Sequence, residues 1–244
     1  MTLANLLRET LDVDCDEVWE NEPTPTPVRV FGVRLHSMGL SVREVAAVLG
    51  LLGVNRSHGA VWNWTHDLAE SQGDPPTAEP SRVAVDEKQI EIDGEKQWLY
   101  AAIDTGSKLL LEIDVYSRRG IGPAAAFLHQ LTEKHDVSDT EFLVDAGGYL
   151  TALFQHDLSG QLNYTERNHI EKWFQTVSMR IDRFHSFSRG SQSSARRWVR
   201  RFRHYYNHDR PNQAPDNQTP VEAVLNQTVP SRLFVVRESV CTLS

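Results

Sequence analysis

Two aspartates end apolar runs in the same way: Val83-Ala84-Val85-Asp86 and Phe142-Leu143-Val144-Asp145. A carboxylate at the end of a buried strand is costly unless it is solvated, paired or bound to a metal. Gly147 and Gly148 follow the second one and let backbone or substrate approach closely. Glu171 falls in the first turn of a helix-like stretch, one residue off an apolar stripe of Ile170, Phe174, Val177, Ile181 and Phe184. Three carboxylates from two strands and a helix can converge at one edge of a sheet. They repel one another unless cations hold them, and hard oxygen donors with vacant positions suit Mg²⁺ or Mn²⁺. Two such ions would activate an attacking oxygen and stabilise the leaving oxygen of a phosphodiester. Asp86, Asp145 and Glu171 are therefore candidate catalytic and metal-binding residues. Competing readings stay open at this point. The chain has 33 acidic residues, and Asp104 and Asp114 also end strand-like runs. Asp86 could pair with Lys88, and Glu171 could serve only the helix dipole.

A second chemical feature is cationic. Arg196, Arg197, Arg200, Arg201 and Arg203 lie within eight positions, in RRWVRRFR. Three- and four-residue steps put Arg196, Arg200 and Arg203 on one helix face and pair Arg197 with Arg201, while Trp198 and Phe202 turn inward. Guanidinium geometry suits phosphate, so these five are candidate DNA contacts, with a merely solvated helix face as the rival reading. His204 and His208 stand four apart, a spacing better suited to a helix surface than to a metal. There is no Gly-rich nucleotide loop and no nucleophilic serine or cysteine motif.

These side chains need elements to hold them. SRVAVDEKQIEI, KQWLYAAIDT and KLLLEIDVYS alternate as strands; DGEK and TGSK turn between them, giving an antiparallel meander. GPAAAFLHQLTEKHD reads as a helix, EFLVDAGGY as a short buried strand, and HIEKWFQTVSMRIDRFHSF and SSARRWVRRFRHYYNHD as helices. The order predicts an α/β domain, a mixed β-sheet flanked by helices, over 82–210. Upstream, residues 28–70 read as three helices. Ser41 and Glu44 have capping-box spacing, Val42, Val45, Ala46 and Leu49 form a stripe, and a third helix begins near Ser57 with Val61, Trp64, Thr65 and Leu68 inward. That layout matches a helix-turn-helix DNA-binding domain, whose last helix would present Asn55, Arg56, Ser57 and His58 to base edges. A bare helical packing unit is the rival. Residues 1–27 form an acidic segment and linker, 71–81 a second linker, and 211–244 a tail.

Composition sets bounds. No apolar run is long enough for a membrane span, the amino-terminal residues lack the pattern of a secretory leader, and Cys15 and Cys241 have no metal or disulfide-scaffold spacing. A cytoplasmic protein is expected. The net charge of −8 argues against nucleic acid until it is resolved by region. Residues 1–80 carry −7, residues 81–160 carry −7, residues 161–211 carry +7 and the remainder −1. One basic block is embedded in an acidic chain with 20 Arg to 5 Lys, a composition that hints at a halophile.

VAVDEKQIEIDGEKQWLYAAID, FLVDAGGYL, RNHIEKWF and YYNHDRPNQAPDNQTPVEAV occur in this order. Over about residues 28–227 the chain resembles DDE-type insertion-sequence transposases, in the group related to insertion-sequence family six found in halophilic archaea. Tyr206, Asn207, Arg210, Pro211, Thr219 and Pro220 carry the terminal part of that resemblance, which is shared with related integrases. The resemblance implies an RNase H-like catalytic domain, with Asp86, Asp145 and Glu171 as metal-binding acids and two Mg²⁺ or Mn²⁺ ions as cofactor. It implies DNA transposition by phosphodiester cleavage and strand transfer. The partners would be double-stranded DNA, as terminal inverted repeats and target, and further copies of the chain in a homodimer or higher oligomer. A domesticated copy that binds DNA without cutting it, or a related integrase or nuclease, is the alternative. The 59 positions between Asp86 and Asp145 suit the family, but the chain departs from its pattern in three places: Asp145 and Glu171 are only 26 positions apart, shorter than the usual gap; Ala146 stands where glycine is common; and Asn212 stands where histidine is common.

Overall fold

The computed structural model describes residue 19 and residues 22–71, 74–144, 147–162, 171, 173–175, 191–210 and 218–228. Three helices come first: α1 (Thr26–Met38), α2 (Val42–Leu51) and α3 (His58–Ser71). Each has a local reason to start where it does. Pro27 lies in the first turn of α1, where its missing amide hydrogen costs nothing. At α2 the expected capping box forms: the Glu44 N–H donates to Ser41 Oγ at 3.2 Å and the Ser41 N–H donates to Glu44 Oε2 at 2.7 Å. Before α3, Ser57 Oγ accepts the Ala60 N–H at 3.1 Å. The apolar stripes close on one another in a separate small core, with Val28, Val33, Val45, Leu49, Val61 and Trp64 all buried. Thr65 is also buried and Leu68 packs at the margin, as the helical spacing requires.

The sheet begins at β1 (Arg82–Ile92), which runs through Asp93-Gly94 into antiparallel β2 (Glu95–Asp104). Both turn residues have positive φ, 53° and 80°, the geometry of a two-residue hairpin that favours Asp-Gly. β3 (Leu110–Tyr116) completes the meander. α4 (Ile121–Lys134) crosses back to β4 (Glu141–Val144), which pairs parallel to β1 with Leu143 opposite Ala84. α5 (Gly147–Phe154) then leads to β5 (Gly160–Leu162), parallel to β4. The spatial order is β3-β2-β1-β4-β5, so β1 is central. The expected mixed sheet with helical cover is present.

Alternation along β1 divides its side chains between two cores. Ala84, Ile90 and Ile92 face one side, packed with Trp173, Phe174 and the inner face of α6 (Gln192–His204), including Val199 and Phe202. Val83 and Val85 face the other, against Phe127, Leu128 and Leu131 of α4 and Ala152 and Leu153 of α5. α6 continues into a widened π-type turn at Tyr205–Asp209. Asn207 there exchanges two hydrogen bonds with the Leu110 backbone, both at 2.9 Å, and so stitches this turn to β3.

The observed elements differ from the expected ones in three places. The strand at FLVDAGGY stops at Val144, and its glycines open a helix instead. β5 has no sequence pattern to announce it, since all three of its residues are exposed. The segment read as a tail contains α7 (Pro220–Thr228), whose Val221 is buried in the second core. Of the expected helix over 169–187, residues 171 and 173–175 are helical and the rest lies outside the described residues.

Candidate active site

Asp86 sits in the middle of the central strand, level with Ala101 of β2, and is only 7% exposed. By strand alternation it shares the face of Ala84 and Ile90, the face covered by Trp173 and Phe174. Its Oδ1 accepts the Glu87 N–H at 2.8 Å. Glu171 is exposed, two residues before Trp173 in the same helical stretch. The packing of Trp173 and Phe174 therefore brings the Glu171 helix onto the face that bears Asp86. Asp145 and Ala146 lie outside the described residues. They join β4, the parallel neighbour of β1, to α5.

The rival aspartates have other work. Asp104 closes the β2–β3 turn, accepting the Gly106 N–H at 3.0 Å, the Ser107 N–H at 3.1 Å and the Ser107 hydroxyl. Asp114 holds Arg196 at 2.9 Å and accepts the Val115 N–H at 2.7 Å. Glu112, buried on β3, pairs with Arg203 at 2.9 Å and with Lys134. Asp86 is thus distinguished from these strand acids by its position at the centre of the sheet.

The donor chemistry of Asp86 and Glu171 is oxygen only, which fits a hard divalent cation. Among the described residues no three His, Cys, Asp or Glu side chains group closely enough to hold a metal.

The candidate DNA contacts separate into groups. Asn55, Ser57 and His58 are exposed around the start of α3. Arg56 is partly buried, with Nε donating to Thr24 Oγ1 at 2.6 Å. On α6, Arg200 is exposed, and Arg196 and Arg197 are partly so. Arg196 also donates to the Val115 carbonyl at 2.8 Å. Arg203 is buried between Glu112 and Asp74, 2.6 Å from the latter. Arg201 is buried as well, 8% exposed, and burial lowers its pKa to about 10. The five arginines therefore do not form one free face; Arg196 and Arg203 brace the β3 edge of the sheet.

Sequence reasoning missed Glu87, Arg119 and Tyr149, which meet on the opposite face of β1. Arg119 Nε contacts Glu87 Oε1, and the Tyr149 hydroxyl donates to Glu87 Oε2. The three are scattered along the chain, so no local spacing joins them.

No protein-family model matches the sequence, and a comparison with curated proteins gives no match. Three solved structures to which the chain is similar are two integrase catalytic cores and an intasome. The HTLV-2 integrase catalytic core, in complex with magnesium and in a trimeric form, superposes with a TM-score of 0.46 at 9% identity, covering 63% of this chain and 99% of that one. The simian T-cell lymphotropic virus intasome, in complex with a PP2A regulatory subunit, gives 0.48 at 15% identity, covering 87% and 80%. The BIV integrase catalytic core gives 0.46 at 15% identity, covering 60% and 95%. No helix among the described residues is long and apolar enough to cross a membrane.

Proposed function

We propose that this chain is a DNA transposase with an RNase H-like catalytic domain, which cleaves a phosphodiester at the end of a mobile element and joins the freed end to target DNA. The observation that carries the reading is the position of Asp86. It is a nearly buried carboxylate at the centre of the sheet, on the face that receives the Glu171 helix. The strand order, three antiparallel strands followed by two parallel ones, supports the RNase H-like assignment.

In this reading Asp86, Asp145 and Glu171 hold two Mg²⁺ or Mn²⁺ ions. The bound cations would supply activation of the attacking oxygen and charge stabilisation at the leaving oxygen. Water attacks the phosphorus, and the P–O3′ bond breaks to release a 3′-hydroxyl. That hydroxyl then attacks a target phosphodiester, displacing a new 3′-oxygen, so one bond forms for each one broken and no external energy source is required. The three amino-terminal helices act as a helix-turn-helix, with Asn55, Arg56, Ser57 and His58 toward base edges of the inverted repeat. Arg200, the most open arginine of α6, contacts phosphate. Two or more copies assemble on paired element ends.

The test is a cleavage and strand-transfer assay on DNA carrying the element's ends, with Mg²⁺ or Mn²⁺. Asp86→Asn, Asp145→Asn and Glu171→Gln should each abolish both products while end binding persists. Cleavage without joining identifies a nuclease instead. Binding with no metal-dependent chemistry in the unaltered chain identifies a domesticated DNA-binding protein.

A further inference from the structure

Arg201 is 8% exposed and Arg203 5%, but only one of them is neutralised. Arg203 has Glu112 and Asp74 on its guanidinium. Among the described residues Arg201 has neither a hydrogen bond nor an ion pair. Burial alone lowers its pKa, to about 10, and no carboxylate works against that shift. The guanidinium therefore still carries its charge at neutral pH. A buried charge with no countercharge is costly. Its place in the fold calls for a group that the chain itself does not supply.

The elements around Arg201 explain why no acid reaches it. α3 packs across α6, and α1 shares the small core of α3. His36 of α1 is 6% exposed and lies within the field of Arg201 and of His66 on α3. Between Glu22 and Asp67 the only acidic residue is Glu44, against Arg29, Arg34, Arg43 and Arg56. The Glu44 carboxylate is occupied by the Ser41 N–H in the cap of α2. α6 contains no acid at all over Gln192–His204. Asp67 of α3 is exposed and does not act on Arg201. Acid is thus sparse where the two units meet, in a chain with 33 acidic residues against 25 basic ones. A negative ligand that came to Arg201 would meet no described carboxylate to repel it. The planar fork of a guanidinium matches two oxygens of a phosphate group.

We propose that Arg201 anchors a phosphate-binding site at the junction of the three-helix unit and the catalytic domain, completed when a phosphate group, carried by a DNA strand or free in solution, supplies the missing negative charge. The site is separate from Arg200, which is exposed on the same helix. It does not depend on the acidic site at Asp86.

The experiment follows thermal unfolding of the full chain in phosphate-free buffer as inorganic phosphate is added in the millimolar range, with KCl adjusted to constant ionic strength. The midpoint should rise with the logarithm of phosphate concentration, as for a ligand that binds only the folded state. Arg201→Met keeps the bulk, removes the charge and should lose the rise. Arg201→Lys keeps a charge without the fork and should show a smaller rise than the unaltered chain. This variant reads the site if Arg201→Met fails to fold. Arg43→Met removes an exposed arginine of α2 and should keep the full rise. A second arm measures binding of a short random-sequence duplex at several salt concentrations. If the occupant is a DNA phosphate, the Arg201 variants should weaken duplex binding and lower the salt slope by about one. If it is free phosphate, duplex binding should be the same with and without Arg201, while the phosphate-dependent rise still requires it. A rise of equal size in the unaltered chain and in both Arg201 variants would be the general effect of phosphate on protein surfaces and would overturn the site. So would a midpoint that ignores phosphate together with duplex binding that ignores Arg201. A chain that binds phosphate through Arg201 but binds no duplex would keep this site and remove the transposase reading.

Discussion

Removing Glu112 should destabilise the protein by far more than an average polar substitution, and removing Arg203 with it should restore most of the loss. Glu112 is 3% exposed and Arg203 5%, and their contact at 2.9 Å is shielded from water. Breaking a buried pair from one side typically costs about 3–5 kcal/mol, because the remaining charge keeps its desolvation penalty. Glu112→Ala strands Arg203 and also takes a partner from Lys134. Some compensation persists, since Asp74 still meets Arg203 at 2.6 Å and Lys134 at 3.1 Å. The Asp74 side chain is 52% exposed, so that compensation is screened and small. The lower end of the range, about 3 kcal/mol, is the expected loss. At roughly 2–4 °C per kcal/mol for a chain of this size, the melting midpoint should fall by roughly 6–12 °C. Glu112→Leu combined with Arg203→Met replaces the pair by apolar groups of similar bulk and should come within about 1 kcal/mol of the unaltered chain. Urea unfolding of the two single variants and the double variant measures all three values. A double variant that loses the sum of the single losses would refute the argument, because it would mean that neither charge was a burden to the other.

Three more outcomes follow from the same structure. Burial holds His36 and His204 down to about 3, with the Arg201 charge adding to the effect on His36 and His208 to that on His204. Both are neutral when folded but titrate near 6.5 when unfolded, so the unfolded chain binds more protons below that pH. Stability should be flat above about pH 6.5 and fall as pH drops from there toward 3, and His36→Asn should shallow the fall in urea midpoints measured across that window. Ser41→Ala removes one half of the α2 capping box and should cost about 1 kcal/mol by thermal unfolding, with the fold retained. Arg200→Ala should weaken DNA binding about equally across sequences and reduce the salt slope by about one, whereas a slope that does not change would remove Arg200 from the phosphate contacts.

The meander was legible because each strand is buried on alternating or both faces, and because Asp93-Gly94 is a turn that needs positive φ at both residues. The Ser41–Glu44 box and the stripe of Val45 and Leu49 were legible for the same local reason. What escaped was of two kinds. Some was overlooked local signal: Thr219 and Glu222 also form a capping box, at 2.7 and 3.3 Å, with Pro220 in the first turn, inside a segment taken for a tail. The rest is non-local. Whether an arginine of α6 faces DNA or a carboxylate depends on Glu112, 91 positions away, and no pattern in RRWVRRFR contains that information. Glu87 likewise reads as an ordinary polar residue of a strand until Arg119 and Tyr149 are brought to it. In the candidate site, Asp86 stands out in the sequence by type and strand position, but that Asp104 closes the β2–β3 turn and Asp114 holds Arg196 is visible only once the chain is folded.

β3 is a rim of the sheet, and a rim offers unpaired carbonyls to any stray strand that passes. On this one Arg196 and Gln192 both donate to the Val115 carbonyl, while Arg203 and Lys134 crowd Glu112 with charge. The basic helix is therefore also a guard rail. It covers part of the edge that an intruding strand would zip onto, and it does so with arginines whose positive charge would be expected to serve DNA alone. A variant that strips those cations should clump from its native state before it unfolds.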